Sequence, residues 1–347
     1  MSQVKTVPCK YKTGRTLGQG TYAIVKEAIH IETGKYYAAK VMNKRLMAGR
    51  ENMIRNEISI LKKVSQGNKN ILTLVDYFET ANNLYLITEL ATGGELFDRI
   101  CDKGSFFETD AAKIIYTIVE AVGYLHQNDI VHRDLKPENL LFKTDDEESE
   151  LVIGDFGLSR IINQEEFTAL TTTCGTPGYM APEIFLKSGH GKPVDMWAIG
   201  VIAYFLLCGY PPFDQSDETV EVQDILNGNF SFEPERYWED VSETARDFIR
   251  NLLVVQPEGR LTAEQALLHP WLQSVIKEKD IPILAEDTKE GNNLLPTVKE
   301  NFNARKAFKR AVGLVKAVNR FKKLSQAPID EDLSKEGQQV LARDDSN

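Results

Sequence analysis

The sequence predicts an α+β chain of two unequal lobes with a basic helical extension, and three observations predict it. Strand-like patterning fills residues 11–89, helical periods dominate from Leu96 to about Leu272, and beyond Trp271 the chain turns polar and then basic. The change of pattern falls at residues 90–94, so a ligand cleft is expected there, between a small lobe 11–89 and a large lobe 94–272.

In the small lobe, Val25 and the run from Lys35 to Val41 are rich in β-branched or aromatic residues, and Ala81-Asn82-Asn83 marks a turn before Leu84-Tyr85-Leu86-Ile87. One helix interrupts this pattern. Residues 51–64 put Ile54, Ile58 and Leu61 on one stripe of helical period. In the large lobe, residues 109–126 carry Ile114, Ile115, Ile118, Val119, Val122 and Leu125, the pattern of a helix buried on most sides. The acidic stretch 144–150 lies between two short apolar strands and reads as a solvated hairpin tip, lacking the spacing of a calcium-binding loop. The longest apolar run, Met196 to Tyr210, has 15 residues and ends at Pro211-Pro212, too short for a membrane span and suited to a buried helix.

The chain has 347 residues and a formal charge of -10, which argues against a nucleic-acid partner, because phosphate backbones require a basic face. The charge is uneven. Residues 299–324 hold nine Lys or Arg and one Glu, a net +8, so the rest of the chain carries -18. Cys9, Cys101, Cys174 and Cys208 show no paired spacing, which fits the reducing cytoplasm and nucleus. The N-terminus shows no signal region or myristoylation pattern.

Chemistry is concentrated at two places. Gly18-Gln19-Gly20 follows a strand, where glycines let backbone amides approach phosphates, although they also serve plain turns. Downstream, Lys40 ends the apolar run Ala38-Ala39-Lys40 and needs a partner if buried; Glu57 on the first helix is the candidate, two unrelated surface charges being the alternative. The second place is His132-Arg133-Asp134-Leu135-Lys136-Pro137-Glu138-Asn139, followed by Asp155-Phe156-Gly157. Further on stand Ala181-Pro182-Glu183, Asp195-x-Trp197-x-x-Gly200 and Arg260.

Over residues 11–272 this set resembles the eukaryotic protein kinase family, in the expected order and spacing. The resemblance implies a bilobal protein kinase fold, with an antiparallel-sheet small lobe bearing one helix and a helical large lobe, and ATP with Mg²⁺ as cofactors. It implies that Lys40 grips the α- and β-phosphates while Glu57 orients it. Leu17, Gly18, Gln19, Gly20, Thr21, Tyr22, Ala23, Val25, Ala38, Glu89 and Glu95 complete the implied nucleotide set. Asn139 and Asp155 would hold Mg²⁺, Asp134 would accept or orient the attacking hydroxyl's proton, and Lys136 would neutralise charge on the transferring group. Ala23 stands where the family loop has its third glycine. Lys136 after Asp134-Leu135, with Gly175 to Tyr179, matches the serine/threonine variant. Thr88 takes the gatekeeper place, and Glu183 with Arg260 the structural ion pair. Thr172 aligns with the phosphorylation site of upstream kinases, for which Arg133 is the receiver. Glu95 and Glu138 sit where a basic residue three positions before the acceptor Ser or Thr would be met.

Between Pro296 and Pro328, apolar residues alternate with basic ones at helical period. Phe308, Val312 and Val315 form one stripe, Leu314, Val318 and Phe321 another, and Phe308 and Phe321 lie about 20 Å apart along a helix. This spacing resembles calmodulin targets, so residues 288–324 are expected to be autoinhibitory and calmodulin-binding, as in type I calcium/calmodulin-dependent protein kinases. An anionic membrane surface and plain structural docking remain alternatives for a basic amphipathic helix. Residues 325–347 read as a disordered acidic tail, and no large association domain follows, so a monomer is expected. A catalytically silent kinase-fold scaffold and a small-molecule phosphotransferase are the competing functions. Intact Lys40, Asp134, Asn139 and Asp155 argue against the first, and Arg133 with 175–183 against the second.

Overall fold

The computed structural model describes residues 6–19, 23–47, 51–156, 177–188, 191–215, 217–276, 291–303 and 339–341. Strands β2 (Tyr11–Gln19), β3 (Ala23–His30), β4 (Tyr36–Asn43), β5 (Leu74–Glu79) and β6 (Asn83–Thr88) form an antiparallel sheet in the order β2-β3-β4-β6-β5. Period-two alternation sorts its faces. Tyr11, Ala28, Ala39 and Ile87 cluster on one side, while Met42, Leu74, Leu84 and Leu86 face helix α1 (Glu51–Ser65) through its Ile54, Ile58, Leu61 and Val64. Lys40 shares the parity of Met42 and lies opposite Leu86, so its side chain leaves the sheet on the α1 side. Buried Glu79 fastens this lobe, accepting from Arg55 Nε at 2.9 Å and pairing with Lys44 Nζ at 2.8 Å. Burial alone would raise its carboxyl, but Arg55 and Lys44 outweigh that and hold it below the ordinary range.

The large lobe is built on α3 (Glu108–Gln127) and on a helix over Pro193–Cys208. The latter is buried from Val194 to its end and stops at Gly209, whose φ of 82° is the left-handed turn that glycine supplies. The apolar run is thus a core helix, and among the described residues no helix is long and apolar enough to cross a membrane. We number it α5, after α2 (Leu96–Cys101) and α4 (Pro182–Leu186). It is followed by α6 (Glu218–Asn227), α7 (Glu243–Leu252), α8 (Ala263–Leu267) and α9 (Pro270–Gln273). Arg260 donates to both oxygens of Glu183 at 2.6 and 2.7 Å and lies 5.0 Å over Trp197, the buried ion pair expected of this lobe. Strands β7 (Leu140–Phe142) and β8 (Leu151–Ile153) form the expected hairpin, with residues 145–148 exposed at its tip.

Two crossings join the lobes. In one, Glu89 N–H donates to Thr73 O at 3.0 Å on the small-lobe side, while Thr92 and Gly93 donate to Lys143 O and Phe142 O, each at 3.0 Å, on the other. A Cβ on Gly93 would meet Thr144 O at 2.0 Å, so only glycine lets the linker lie this close to the hairpin. In the other crossing, Leu72 N–H donates to Ile153 O at 3.0 Å and Ile153 N–H to Asn70 O at 2.9 Å.

The large-lobe core does not stop at residue 272. A final helix, α10, spans 295–303, and Leu294, Leu295 and Val298 are buried in that core. Phe302 stacks on Phe97 at 5.5 Å, Leu294 N–H donates to Phe106 O at 2.7 Å, and Asn301 Nδ2 donates to Cys208 O at 2.8 Å. The first part of the segment expected to be regulatory is therefore also structural, because its apolar residues cover apolar rings of α2 and α5. The tail 325–347, expected to lack structure, contributes strand β9 (Gln339–Leu341), antiparallel to β1 (Thr6–Pro8) in the small lobe.

Candidate active site

The loop from His132 to Asn139 is shaped by Asp195 at the start of α5. Its buried carboxylate accepts backbone N–H groups of His132 and Arg133, each at 2.8 Å, and is 2.8 Å from His126 Nε2. Burial raises this carboxyl; His126 and His132, with the Arg133 amide, outweigh it and hold the group ionised below the usual range. Arg133 follows at φ 66°, a conformation costing a non-glycine residue about 1–3 kcal/mol and sustained by those bonds. Asp134 N–H donates to His132 Nδ1 at 3.2 Å, so that nitrogen is the acceptor, and Nε2–H donates to Gly154 O at 2.8 Å. One buried imidazole thus ties the loop to the strand that delivers Asp155.

On this frame Lys136 Nζ lies 2.9 Å from both oxygens of Asp134. Burial alone would lower the Lys136 ammonium's pKa, but Asp134, then Glu138 and Asp155, raise it, so the cation persists through the physiological range. Asn139 Nδ2 donates to Asp134 O at 2.6 Å, and Gly154 N–H donates to Asn139 O at 2.8 Å. Asp155, at φ 60°, sits 2.7 Å from Lys40 Nζ across the lobes. Burial pushes the Asp155 carboxyl up; Lys40, then His132 and Lys136, overcome this and keep it below the ordinary range.

A cleft of about 300 Å³ lies between the lobes. Leu17, Gly18, Val25, Ala38, Lys40, Glu89, Asn139 and Asp155 line it, as the sequence predicted, together with Thr88 and Glu138. Sequence reading missed Leu72, Leu74, Leu86, Leu90, Ala91 and Leu141 among its apolar walls. Leu141 carried a weak signal, the middle position of a three-residue strand whose neighbours Leu140 and Phe142 are fully buried. Among predicted residues not lining the cleft, Gln19 is exposed at the end of β2 and Ala23 is buried at the start of β3. Glu57 is half-buried on α1 between Ile54 and Ile58, and Glu95 is exposed just before α2. Gly20, Thr21, Tyr22, Thr172, Phe308, Val312, Val315 and Phe321 lie outside the described residues.

The donor chemistry suits a hard cation shared with a ligand. Asn139 and Asp155 offer an amide oxygen and a carboxylate, and both line the cleft. That matches Mg²⁺, which is held by one or two side chains and completed by phosphate oxygens.

An inter-lobe cleft with an ammonium on one wall, a carboxylate–lysine pair beside it and oxygen ligands at its floor defines a nucleotide-dependent phosphotransferase. The family model described as Protein kinase domain matches residues 11–272. The chain belongs to the protein kinase family and is a serine/threonine kinase of the calcium/calmodulin-dependent, type I-like branch. It is 61% identical over 318 residues to calcium/calmodulin-dependent protein kinase cmkB of Emericella nidulans, covering 92% of this chain and 77% of that protein. To the type I enzyme of Schizosaccharomyces pombe it is 55% identical, covering 93% of each chain. To the type 1B enzyme of Rattus norvegicus it is 42% identical, covering 96% of this chain and 93% of the relative.

Proposed function

We propose that this kinase transfers the γ-phosphate of ATP to Ser or Thr of proteins bearing a basic residue three positions earlier, and that Ca²⁺-calmodulin releases it from inhibition by its basic segment. The observation that carries the catalytic reading is the Asp134 carboxylate, both of whose oxygens lie 2.9 Å from Lys136 Nζ, next to a cleft shared by Lys40, Asn139 and Asp155. Asp134 takes or orients the hydroxyl proton, and Lys136 meets charge at the transferring group. Asn139 and Asp155 would hold Mg²⁺, which when bound would neutralise phosphate charge. Lys40 turns from Asp155 to the phosphates when nucleotide enters. Phosphate added at Thr172 by an upstream kinase meets Arg133 and raises activity further. Glu95 and Glu138 receive the basic residue of the substrate.

Three relatives bear calcium/calmodulin in their names, and their matches, longer than 262 residues, necessarily reach beyond 11–272. The anchors Phe308, Val312, Val315 and Phe321 then bind calmodulin, and without it residues from 304 onward obstruct the catalytic face. The enzyme works as a monomer in the cytoplasm and nucleus. Phosphorylation of an Arg-x-x-Ser peptide with and without Ca²⁺-calmodulin tests this, using two truncations. Ending the chain after Asn303 should give calmodulin-independent activity with an unchanged melting temperature. Ending it at Glu286 should also lower the melting temperature, because Leu294, Leu295 and Val298 leave the core. If the 303 truncation were no more active than the full chain without calmodulin, autoinhibition by the basic segment would be wrong.

A further inference from the structure

The basic segment departs from the large lobe and its far side is attached to the small one. Upstream, 291–303 is packed on α2 and α5 through Leu294, Leu295, Val298 and Phe302. Downstream, β9 pairs with β1, with Thr6 opposite Leu341, Val7 opposite Val340 and Pro8 opposite Gln339. β9 also lies beside β5, the edge strand of the five-stranded sheet. Residues 304–338 therefore connect an element packed on the large lobe to a strand paired with β1.

We propose that the β1–β9 pairing is a latch that sets the calmodulin concentration needed to release the enzyme. The proposal rests on the autoinhibition reading above and adds its second anchor. Closing a loop at its far end restricts the segment to paths that return to the protein, which raises its effective concentration at the surfaces between the anchors. Calmodulin must gather Phe308 to Phe321 into a helix rising about 1.5 Å per residue, where extended chain spans roughly 3.3–3.6 Å. Binding therefore shortens a span held by α10 at one end and by the latch at the other. A two-stranded ladder of three residues is marginal by itself, so it opens without unfolding either lobe. Its position beside an edge strand gives it a second duty, shielding that edge from other chains.

The test uses the full chain. Val340→Pro removes a ladder N–H from β9 and Val7→Pro removes one from β1. Each should lower the Ca²⁺-calmodulin concentration for half-maximal activation by roughly three- to tenfold, as expected if the latch is closed most of the time. The double variant should do no more than either single, since both open one contact. Val7→Cys with Val340→Cys, in a Cys9→Ser background, places thiols on directly opposed residues, about 4.5–5.5 Å apart at Cα for antiparallel neighbours and within disulfide reach. Oxidation should crosslink this pair and raise the half-activating concentration, and reduction should restore it. Unchanged activation in both proline variants, additive effects in the double variant, or no crosslink without calmodulin would overturn the latch. If calmodulin failed to activate even the unaltered chain, the regulatory reading would fall instead, and crosslinking yield would still decide whether the pairing exists.

Discussion

On the large-lobe wall of the cleft, Asp134, Lys136 and Asn139 hang from backbone that Asp195 grips with amide bonds of 2.8 Å and that His132 ties to Gly154. On the small-lobe wall, Lys40 projects from β4 in a sheet whose edge strand β2 buries only Tyr11, and its ammonium rests on Asp155 of the opposite lobe. The first wall is complete without a ligand. The second has its cation on Asp155, the carboxylate proposed to hold Mg²⁺, so under that proposal nucleotide rearranges this wall more than the other. Preorganisation is concentrated where charge must be placed accurately during transfer, and adaptability where phosphates enter.

That contrast can be broken by stability measurements. Asp195→Ala strands buried amides of His132 and Arg133 and the His126 ring, and should cost about 3–5 kcal/mol in urea denaturation. Lys40→Met should cost less, about 1–2 kcal/mol, because methionine keeps the buried stem in place and the Asp155 side chain, 36% exposed, can turn its carboxylate to water. Equal losses would abolish the distinction. Activity should reverse the picture: Lys40→Met and Asp155→Asn should each lower phosphate transfer roughly 10²-fold or more, with folding retained, in a peptide assay at saturating Mg²⁺-ATP.

Two smaller effects sharpen the comparison. Gly209→Ala combines left-handed backbone with a Cβ 2.5 Å from Val298 O, and should cost about 1–2 kcal/mol, read as a lower denaturation midpoint. The loss should shrink in a chain ending at Glu286, where the clash is gone and only backbone strain remains. In the small lobe, Glu79→Gln should cost about 1 kcal/mol at pH 7. The folded Glu79 carboxyl is held below the ordinary carboxylate range, so its contribution is complete above that range and fades as pH falls through the depressed folded value. The unaltered and Glu79→Gln proteins should therefore converge in stability as the pH falls below the ordinary carboxylate range.

Elements with a strong local period were legible in the sequence. The first helix, expected over 51–64, runs to Ser65, and the buried run from Met196 lies in α5. Asp134, Lys136, Asn139 and Asp155 were legible through the resemblance of 132–139 and 155–157 to the kinase motifs, and Lys40 because a charge ending an apolar strand demands a partner. The walls of the cleft were not. Leu72, Leu86 and Leu141 are chemically indistinguishable from core residues, and only the empty space beside them separates a wall from a core. The docking of 291–303 was hidden for a related reason: Leu294 and Phe302 find Phe106 and Phe97 about two hundred positions away, and contacts that distant leave no periodic trace. The β9 strand, three residues long within an acidic stretch, offered even less.

The tethers at the two crossings locate a pivot. Residues 92–93 are pinned to the large lobe, Glu89 belongs to the end of the small-lobe sheet, and the second strand of connection is pinned to the large lobe as far as Leu72. What remains for turning is Leu90-Ala91 on one side and Thr73 on the other, and Glu89 N–H to Thr73 O joins the two sides. Two points define a line, so the lobes should swing about an axle passing through that hydrogen bond. Leu90 and Ala91 also line the cleft. A molecule resting against them touches the axle itself, where a tilt of one degree displaces almost nothing, while Gly18 at the rim travels the longest arc. Inhibitors confined to the axle should accept every degree of lobe opening; those reaching the rim should select one.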